Sequence, residues 1–309
     1  MWFNNLQIYR FLKPFSLTPE EVDEKLAKLS FKPCSSLQPA SLGWVPPLGR
    51  FGSENVHVAN GYIMLCLKKQ EKILPASVVR DLVSEKVADI EAAESRPVRR
   101  KEREGIRDEI MQDMLPKAFC RSSLTFAYIS PKTNLLVINA SSPKKAEEFL
   151  HYLRKALGSL PVVVPILNAV PTLVMTQWVQ KMDAKNFVIE DEAEFRDAGD
   201  EGGVVRCKSH DLSVPEIQSH LAAGKQVVKL AVEWKDAIRC VISDDLSIKR
   251  LKFGDEILEQ SHDTDADDYA ARFDADFAVM TLELSRFIPD LFDAFGGENE
   301  QAYKAKTAC

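Results

Sequence analysis

The sequence has no apolar run able to cross a bilayer. The longest, such as Leu160–Ile166, fall far short of the roughly 20 residues a helical span needs. The amino terminus, MWFNNLQIYRF, lacks a basic region followed by an apolar core, so no secretory leader is expected. Six cysteines (Cys34, Cys66, Cys120, Cys207, Cys240 and Cys309) are scattered without a C-x-x-C pair, which fits free thiols in the cytosol better than a disulfide framework. No phosphate-binding loop is present. Gly224-Lys225 lacks both the upstream Gly and the following Ser or Thr, which disfavours an ATP-driven enzyme. The five histidines (His57, His151, His210, His220 and His262) have no partner at metal-ligand spacing, and His210-Asp211 comes without a nucleophile motif.

Carboxylates are more plentiful but poorly arranged for a cation. Asp263, Asp265, Asp267 and Asp268, then Asp274 and Asp276, are close enough in sequence to suggest a divalent-metal loop. The loop pattern breaks twice. Asp268 stands where an EF-hand needs Gly, and Asp274 stands where the closing Glu belongs. An acidic cap ahead of a helix explains the run instead, because Asp near a helix amino terminus is stabilised by the dipole.

What is present is an ordinary globular composition with an uneven charge. The chain has 309 residues, 45% hydrophobic and 28% charged, with a formal net charge of −6. That length accommodates two domains. Residues 1–175 carry 24 Lys and Arg against 18 Asp and Glu, a net of +6; residues 176–309 carry 16 against 28, a net of −12. Such asymmetry points to an anionic partner for the first half, or to attraction between the halves within or between subunits.

The sharpest local feature is Arg96–Arg121, RPVRRKEREGIRDEIMQDMLPKAFCR, with eight basic and five acidic residues. If Pro97 opens a helix, Arg99, Arg100, Arg103 and Arg107 fall on an arc of roughly 100°. Two readings stand. One is a solvated face with intrahelical pairs such as Arg100/Glu104; the other is a face that a polyanion relieves of like-charge repulsion.

Patterning sets the rest. Asn5–Phe11 alternates as a strand, and Thr18-Pro19-Glu20-Glu21 is a capping box. Pro33 to Gly52 reads as loop. Asn60-Gly61 between His57-Val58-Ala59 and Tyr62–Leu67 is a hairpin signal. Pro75 starts a helix with Val79, Val83, Val87 and Ile90 on one side. The Arg-rich helix follows to Leu115, making a helical hairpin. Ser123–Ser130 and Leu135–Asn139 resume the strands, and Ser142-Pro143 caps a helix ended by Gly158. Beyond Leu160–Pro171 come a short helix (Thr172–Lys181), a strand (Gly202–Lys208), a helix (Ser213–Ala223) and a three-strand meander (Val227–Trp234, Ala237–Ser243, Ile248–Phe253). A long helix runs from about Ala275 to Phe295.

The expected class is α+β, with antiparallel sheets and packed helices. The expected parts are a basic amino-terminal domain (1–72 and 118–171), an inserted helical hairpin (73–117), an acidic carboxy-terminal domain (172–297) and a mobile tail (298–309).

The candidate polyanion-facing residues are Arg96, Arg99, Arg100, Arg103, Lys117, Arg121, Arg206, Lys208, His210, Lys249, Arg250 and Lys252. In Ile248–Phe253, alternation puts Lys249 with Leu251 and Phe253, and Arg250 with Lys252 on the other face. Such a face is either solvated or tracks a phosphate backbone. Phe119, between Lys117 and Arg121, is core, a base contact or a plug for a neighbouring subunit.

Several strings together go further. GWVPPLG (43–49), HVANGYI (57–63), EKILP (71–75), MLPKAF (114–119), the run from Lys144 to Pro165, KRLKF (249–253) and RFDADF (272–277) resemble the bacterial recombination-associated RdgC family, in order and spacing, from about residue 2 to Gly297. Val164 is an insertion relative to that pattern, and ENEQAYKAKTAC at the end has no counterpart in it.

The resemblance implies a non-enzymatic homodimer closed into a ring, without a cofactor or metal. Duplex DNA would pass through a basic hole, and binding, which could extend to single strands, would have no marked sequence preference. By occupying DNA it would restrain the strand-exchange recombinase, in the cytoplasm at the nucleoid and away from membranes. Phe119 would be a dimer contact or gate. A ring would reconcile a net charge of −6 with DNA binding, cations inside and carboxylates outside, phosphate contacts giving affinity without readout. Two other classes remain: a metal-dependent nuclease using the Asp263–Asp276 carboxylates, and a protein–protein scaffold acting on the recombinase.

Overall fold

A computed structural model describes residues 1–197, 199, 202–262 and 268–307. It is an α+β fold built on two antiparallel sheets. The first sheet contains β1 (Gln7–Phe11), β2 (Ala40–Trp44), β3 (Val56–Ala59), β4 (Tyr62–Lys72), β5 (Cys120–Ser130), β6 (Leu135–Ile138) and β7 (Val162–Val163). Its order is β2-β4-β5-β6-β1-β7, with β3 paired to β4. The β3–β4 turn sits where Asn-Gly predicts it: Asn60 (φ 51°) and Gly61 (φ 79°) both take the left-handed conformation of a two-residue hairpin.

Both faces of this sheet are buried, by alternation along its strands. Ile63, Leu65 and Leu67 of β4 face α1 (Pro19–Ala27) and α4 (Pro143–Leu157), meeting Val22, Leu26, Phe149 and Leu153. The Thr18 capping box starts α1 and Ser142 caps α4, as the sequence predicts. Met64, Tyr128 and Val137 point the other way, into a core shared with Phe277, Met280 and Leu284 of α8 (Tyr269–Ala294).

The second sheet has the order β12-β11-β10-β8-β9. Its strands are β8 (Phe187–Arg196), β9 (Val204–Cys207), β10 (Gln226–Trp234), β11 (Ile238–Ser243) and β12 (Ile248–Phe253). Helices α5 (Pro171–Lys181), α6 (Pro215–Ala222) and α8 supply the apolar partners of one face, and α7 (Asp255–His262) contributes Ile257. The two sheets share that core and are joined by backbone bonds between Leu6 and Ile248, 2.8 and 3.0 Å.

Apart from both cores stands the hairpin of α2 (Ala76–Glu94) and α3 (Arg100–Met114). It is held by a small core of its own, Val79 and Val83 against Ile106 and Ile110. Each pair is spaced i, i+4, which puts both members on one helix face.

Several expectations need correction. Pro97 does not open α3; Arg99 is the N-cap and the helix starts at Arg100. The intervening turn is fixed by Arg96, which donates to Glu94 and Glu102, and by the Val98 N–H to Glu91. The stretch read as loop contains β2, where Gly43 lies so close to the backbone of Phe31 that a Cβ would stand 2.3 Å from its Cα. Residues 298–309 were expected as a tail. Glu300–Thr307 is instead a helix, α9, whose Tyr303 hydroxyl donates to Glu298 and accepts the Ile166 N–H.

Candidate nucleic-acid interface

The hairpin presents cations on two sides of the α2–α3 seam. Arg96 is consumed by the turn, and Arg100, 95% exposed, makes an i, i+4 bond to Glu104 at 3.1 Å and no other ion pair among the described residues. Arg99 and Arg103 form no ion pair among the described residues. Arg100 and Arg103 are brought together with two residues absent from the predicted site, Arg80 and Arg107. The four line an open cleft of about 470 Å³. Arg80 follows Val79 directly, so it flanks the apolar stripe of α2; that adjacency is the signal by which it could have been found. Arg107 lay on the predicted arc.

On the other side of the seam, α3 runs through the short turn Leu115–Lys117 into β5. Lys72 braces the turn by donating to the Leu115 carbonyl. Phe119 emerges there with 85% of its surface exposed, which rules out the core reading. Beside it lies a groove of about 790 Å³ with Ile73, Leu82, Ile110 and Met114 in its walls and Glu85, Asp89 and Asp113 around it. Lys117 lines the groove, while Arg121, 72% exposed, is 3.6 Å from Glu71.

The outer face of the second sheet is different in kind. Arg206 and Lys229 bond Glu194 at 2.9 and 2.8 Å, with Arg196 at 3.3 Å. Burial raises the Glu194 carboxyl, but the bonds from Lys229 and Arg206 outweigh it and hold it down at about 2. Arg239 bridges Glu233 and Glu190, and Arg250 bonds Glu192 at 2.8 Å. Lys208 and His210 are exposed just beyond β9.

The predicted facing of β12 is wrong by one residue. Arg250 has φ 52° and lies at a register shift against β11. A bulge there inverts the alternation. Ile248 therefore joins Leu251 and Phe253 in the core, and Lys249 and Lys252 point outward opposite Val241 and Arg239.

The described carboxylates of the run have other partners. Asp268 caps α8 through the Ala270 N–H at 3.0 Å, Asp274 bonds His57 at 3.2 Å, and Asp276 holds the Met1 amine and the Trp2 indole N–H. Asp263, Asp265 and Asp267 lie outside the described residues. Among the described residues, no three His, Cys, Asp or Glu converge on a cation position. Burial pushes the Cys66 thiol up to about 12 and raises that of Cys240 too, which keeps both as inert thiols. No described helix is long and apolar enough to cross a membrane.

Fold and surface thus define an antiparallel α+β protein with a cation-rich helical hairpin projecting from its first sheet. A family model described as "Putative exonuclease, RdgC" matches residues 1–298. Three relatives bear the name recombination-associated protein RdgC. That of Aeromonas hydrophila is 49% identical over 301 residues, covering 97% of this chain and 99% of its own. That of Tolumonas auensis is 48% identical over 302 residues, 97% and 100%, and that of Yersinia enterocolitica 42% over 299 residues, 96% and 99%. The chain belongs to the RdgC family.

Proposed function

We propose that this protein acts in DNA recombination as a non-enzymatic, sequence-independent DNA-binding protein. Two copies close into a ring around the duplex, and occupancy of DNA restrains the strand-exchange recombinase in the cytoplasm at the nucleoid. The observation that carries the reading is the contrast in cation pairing. The hairpin holds Arg99, Arg103 and Lys117 without ion pairs among the described residues, whereas Arg206, Arg239 and Arg250 on the second sheet are already matched by glutamates. Unpaired cations can exchange their counterions for phosphates, and that exchange drives non-specific affinity. Lys208, His210, Lys249 and Lys252 extend the candidate DNA surface.

Phe119 closes the ring in this reading. In an isologous contact each copy offers its Phe119 to the apolar groove beside Phe119 of the other, the same patch serving twice. The decisive experiment loads the protein on closed-circular DNA and challenges the complex with high salt. Retention on the circle, followed by release on a single restriction cut, is expected. Equal release from circular and linear DNA overturns encirclement.

The description of the family model names a second reading, an exonuclease. End-labelled duplex incubated with Mg²⁺ decides it: we expect intact DNA, and shortening abolished by Asp265→Ala would replace the binding reading with a nuclease.

A further inference from the structure

We propose that the α2–α3 cleft is a docking site for an acidic peptide segment of a partner protein, one that carries a large apolar side chain between carboxylates. The charged lining is Arg80, Arg100, Arg103 and Arg107 with Glu104 among them, and the apolar lining includes Val79, Val83 and Met111. Only Arg100 has an ion-pair partner among the described residues, the exposed Glu104. Arginine forks match carboxylates bidentately, so a rim of this kind is complementary to an acidic chain.

The floor decides between anions. Phosphates of a duplex engage the cations alone and leave an aliphatic floor without a partner. A splayed base would fill it, but bases are held by stacking on aromatic rings, and no aromatic side chain lines this cleft. An aliphatic floor between two helices instead takes an apolar peptide side chain, as amphipathic segments dock in grooves. Glu104 also lines the cleft but pairs there with Arg100, which leaves Arg80, Arg103 and Arg107 without an ion pair among the described residues. Arg100 and Arg103, read from sequence as DNA contacts, are shared with this site. The proposal does not require encirclement, and its failure leaves the circular-DNA experiment intact.

The test uses the full chain and a fluorescein-labelled peptide, Asp-Asp-Leu-Asp-Asp-Phe, followed by anisotropy in moderate salt. Saturable binding is expected, weakened at least about tenfold by Arg80→Glu/Arg103→Glu and less by Arg80→Lys/Arg103→Lys. Replacing the peptide's Leu and Phe with Ser should weaken it as much. Arg107→Glu serves as a second variant should the double reversal lower the melting temperature. The proposal is overturned if the Ser peptide binds equally well, if charge reversal leaves binding unchanged, or if no binding saturates. It is also overturned if an oligothymidylate binds the wild type more tightly than the peptide and loses more on reversal, or if the peptide merely dissociates pairs of copies through the Glu85 groove.

Discussion

On the outer face of the second sheet, Arg206, Arg239 and Arg250 each meet a glutamate of β8 or β10; on the hairpin, Arg80, Arg103 and Arg107 meet none among the described residues. The same residue type therefore serves two ends. A cation already bonded to a carboxylate of its own sheet has less left for a ligand. An unpaired cation costs the fold a few tenths of a kcal/mol in repulsion and is available to a polyanion. Net charge by itself cannot separate the two, because it counts both kinds alike.

The largest effect that separates the regions is the salt dependence of DNA binding. With about five phosphates neutralised per ring, and a slope near −0.9 per phosphate, affinity should fall on the order of a hundredfold or more between 50 and 200 mM salt. Arg99→Ala/Lys117→Ala should make that slope shallower by about two contacts, whereas Arg206→Ala/Arg250→Ala should leave it nearly unchanged. Equal changes in the two variants would erase the distinction between free and paired cations.

Phe119→Ala comes next. An aromatic anchor at the centre of a contact is worth roughly 2 kcal/mol or more, about a thirtyfold weakening. Sedimentation should show the variant dimer dissociating already at a correspondingly higher protein concentration than wild type. Because Phe119 is exposed in the single chain, the intrinsic unfolding free energy should stay within about 0.5 kcal/mol. A large loss of folding stability would mean that the side chain packs within its own subunit.

Glu194 tests the paired side. Its side chain is buried and receives Arg206, Lys229 and Arg196. Glu194→Gln should cost about 1–3 kcal/mol, chiefly from charge-assisted bonds lost, with DNA affinity little altered. The pH dependence has a definite sign. The folded carboxyl is held at about 2 against an ordinary 4.5. Its stabilisation is therefore complete above the ordinary value and is lost as pH falls from about 4.5 towards 2. Acid unfolding of wild type and Glu194→Gln should converge across that window. A constant gap between the two curves would show that Glu194 is not held by its cations.

How much of this was legible in the sequence depends on the kind of signal. Thr18, Ser142 and Asn60-Gly61 act within four residues, so the caps and the hairpin turn were readable. The hairpin's pairing followed from i, i+4 valines and isoleucines. The strand β8, FVIEDEAEFR, was missed because its three glutamates and one aspartate look like a solvated loop; the glutamates' cations sit far away in sequence, at Arg206, Lys229, Arg239 and Arg250. Among site residues, Phe119 was identified but its exposure was not, since nothing local distinguishes an anchor from a core ring. Arg80 was missed because it lies 20 residues or more before the arginines it joins.

The smallest effect concerns Arg250, where the fold and the charge pattern meet. Its left-handed backbone (φ 52°) creates the bulge that turns Lys249 and Lys252 outward, and its guanidinium bonds Glu192 at the surface. A non-glycine residue in that conformation is strained by about 1 kcal/mol, while an exposed ion pair is worth about 0.2–1 kcal/mol. Arg250→Ala loses the pair and keeps the strain, so it should be destabilised by a few tenths of a kcal/mol. Arg250→Gly loses the same pair and relieves the strain, and should be close to wild type or slightly more stable. The difference between the two variants isolates the bulge, because the ion pair cancels. Urea unfolding should place Gly above Ala by about 0.5–1 kcal/mol. If Ala equals or exceeds Gly, the strand alternates without a bulge. Lys249 would then point into the core beside Leu251, and the outward cations of β12 would be Arg250 and Lys252, one of them already paired.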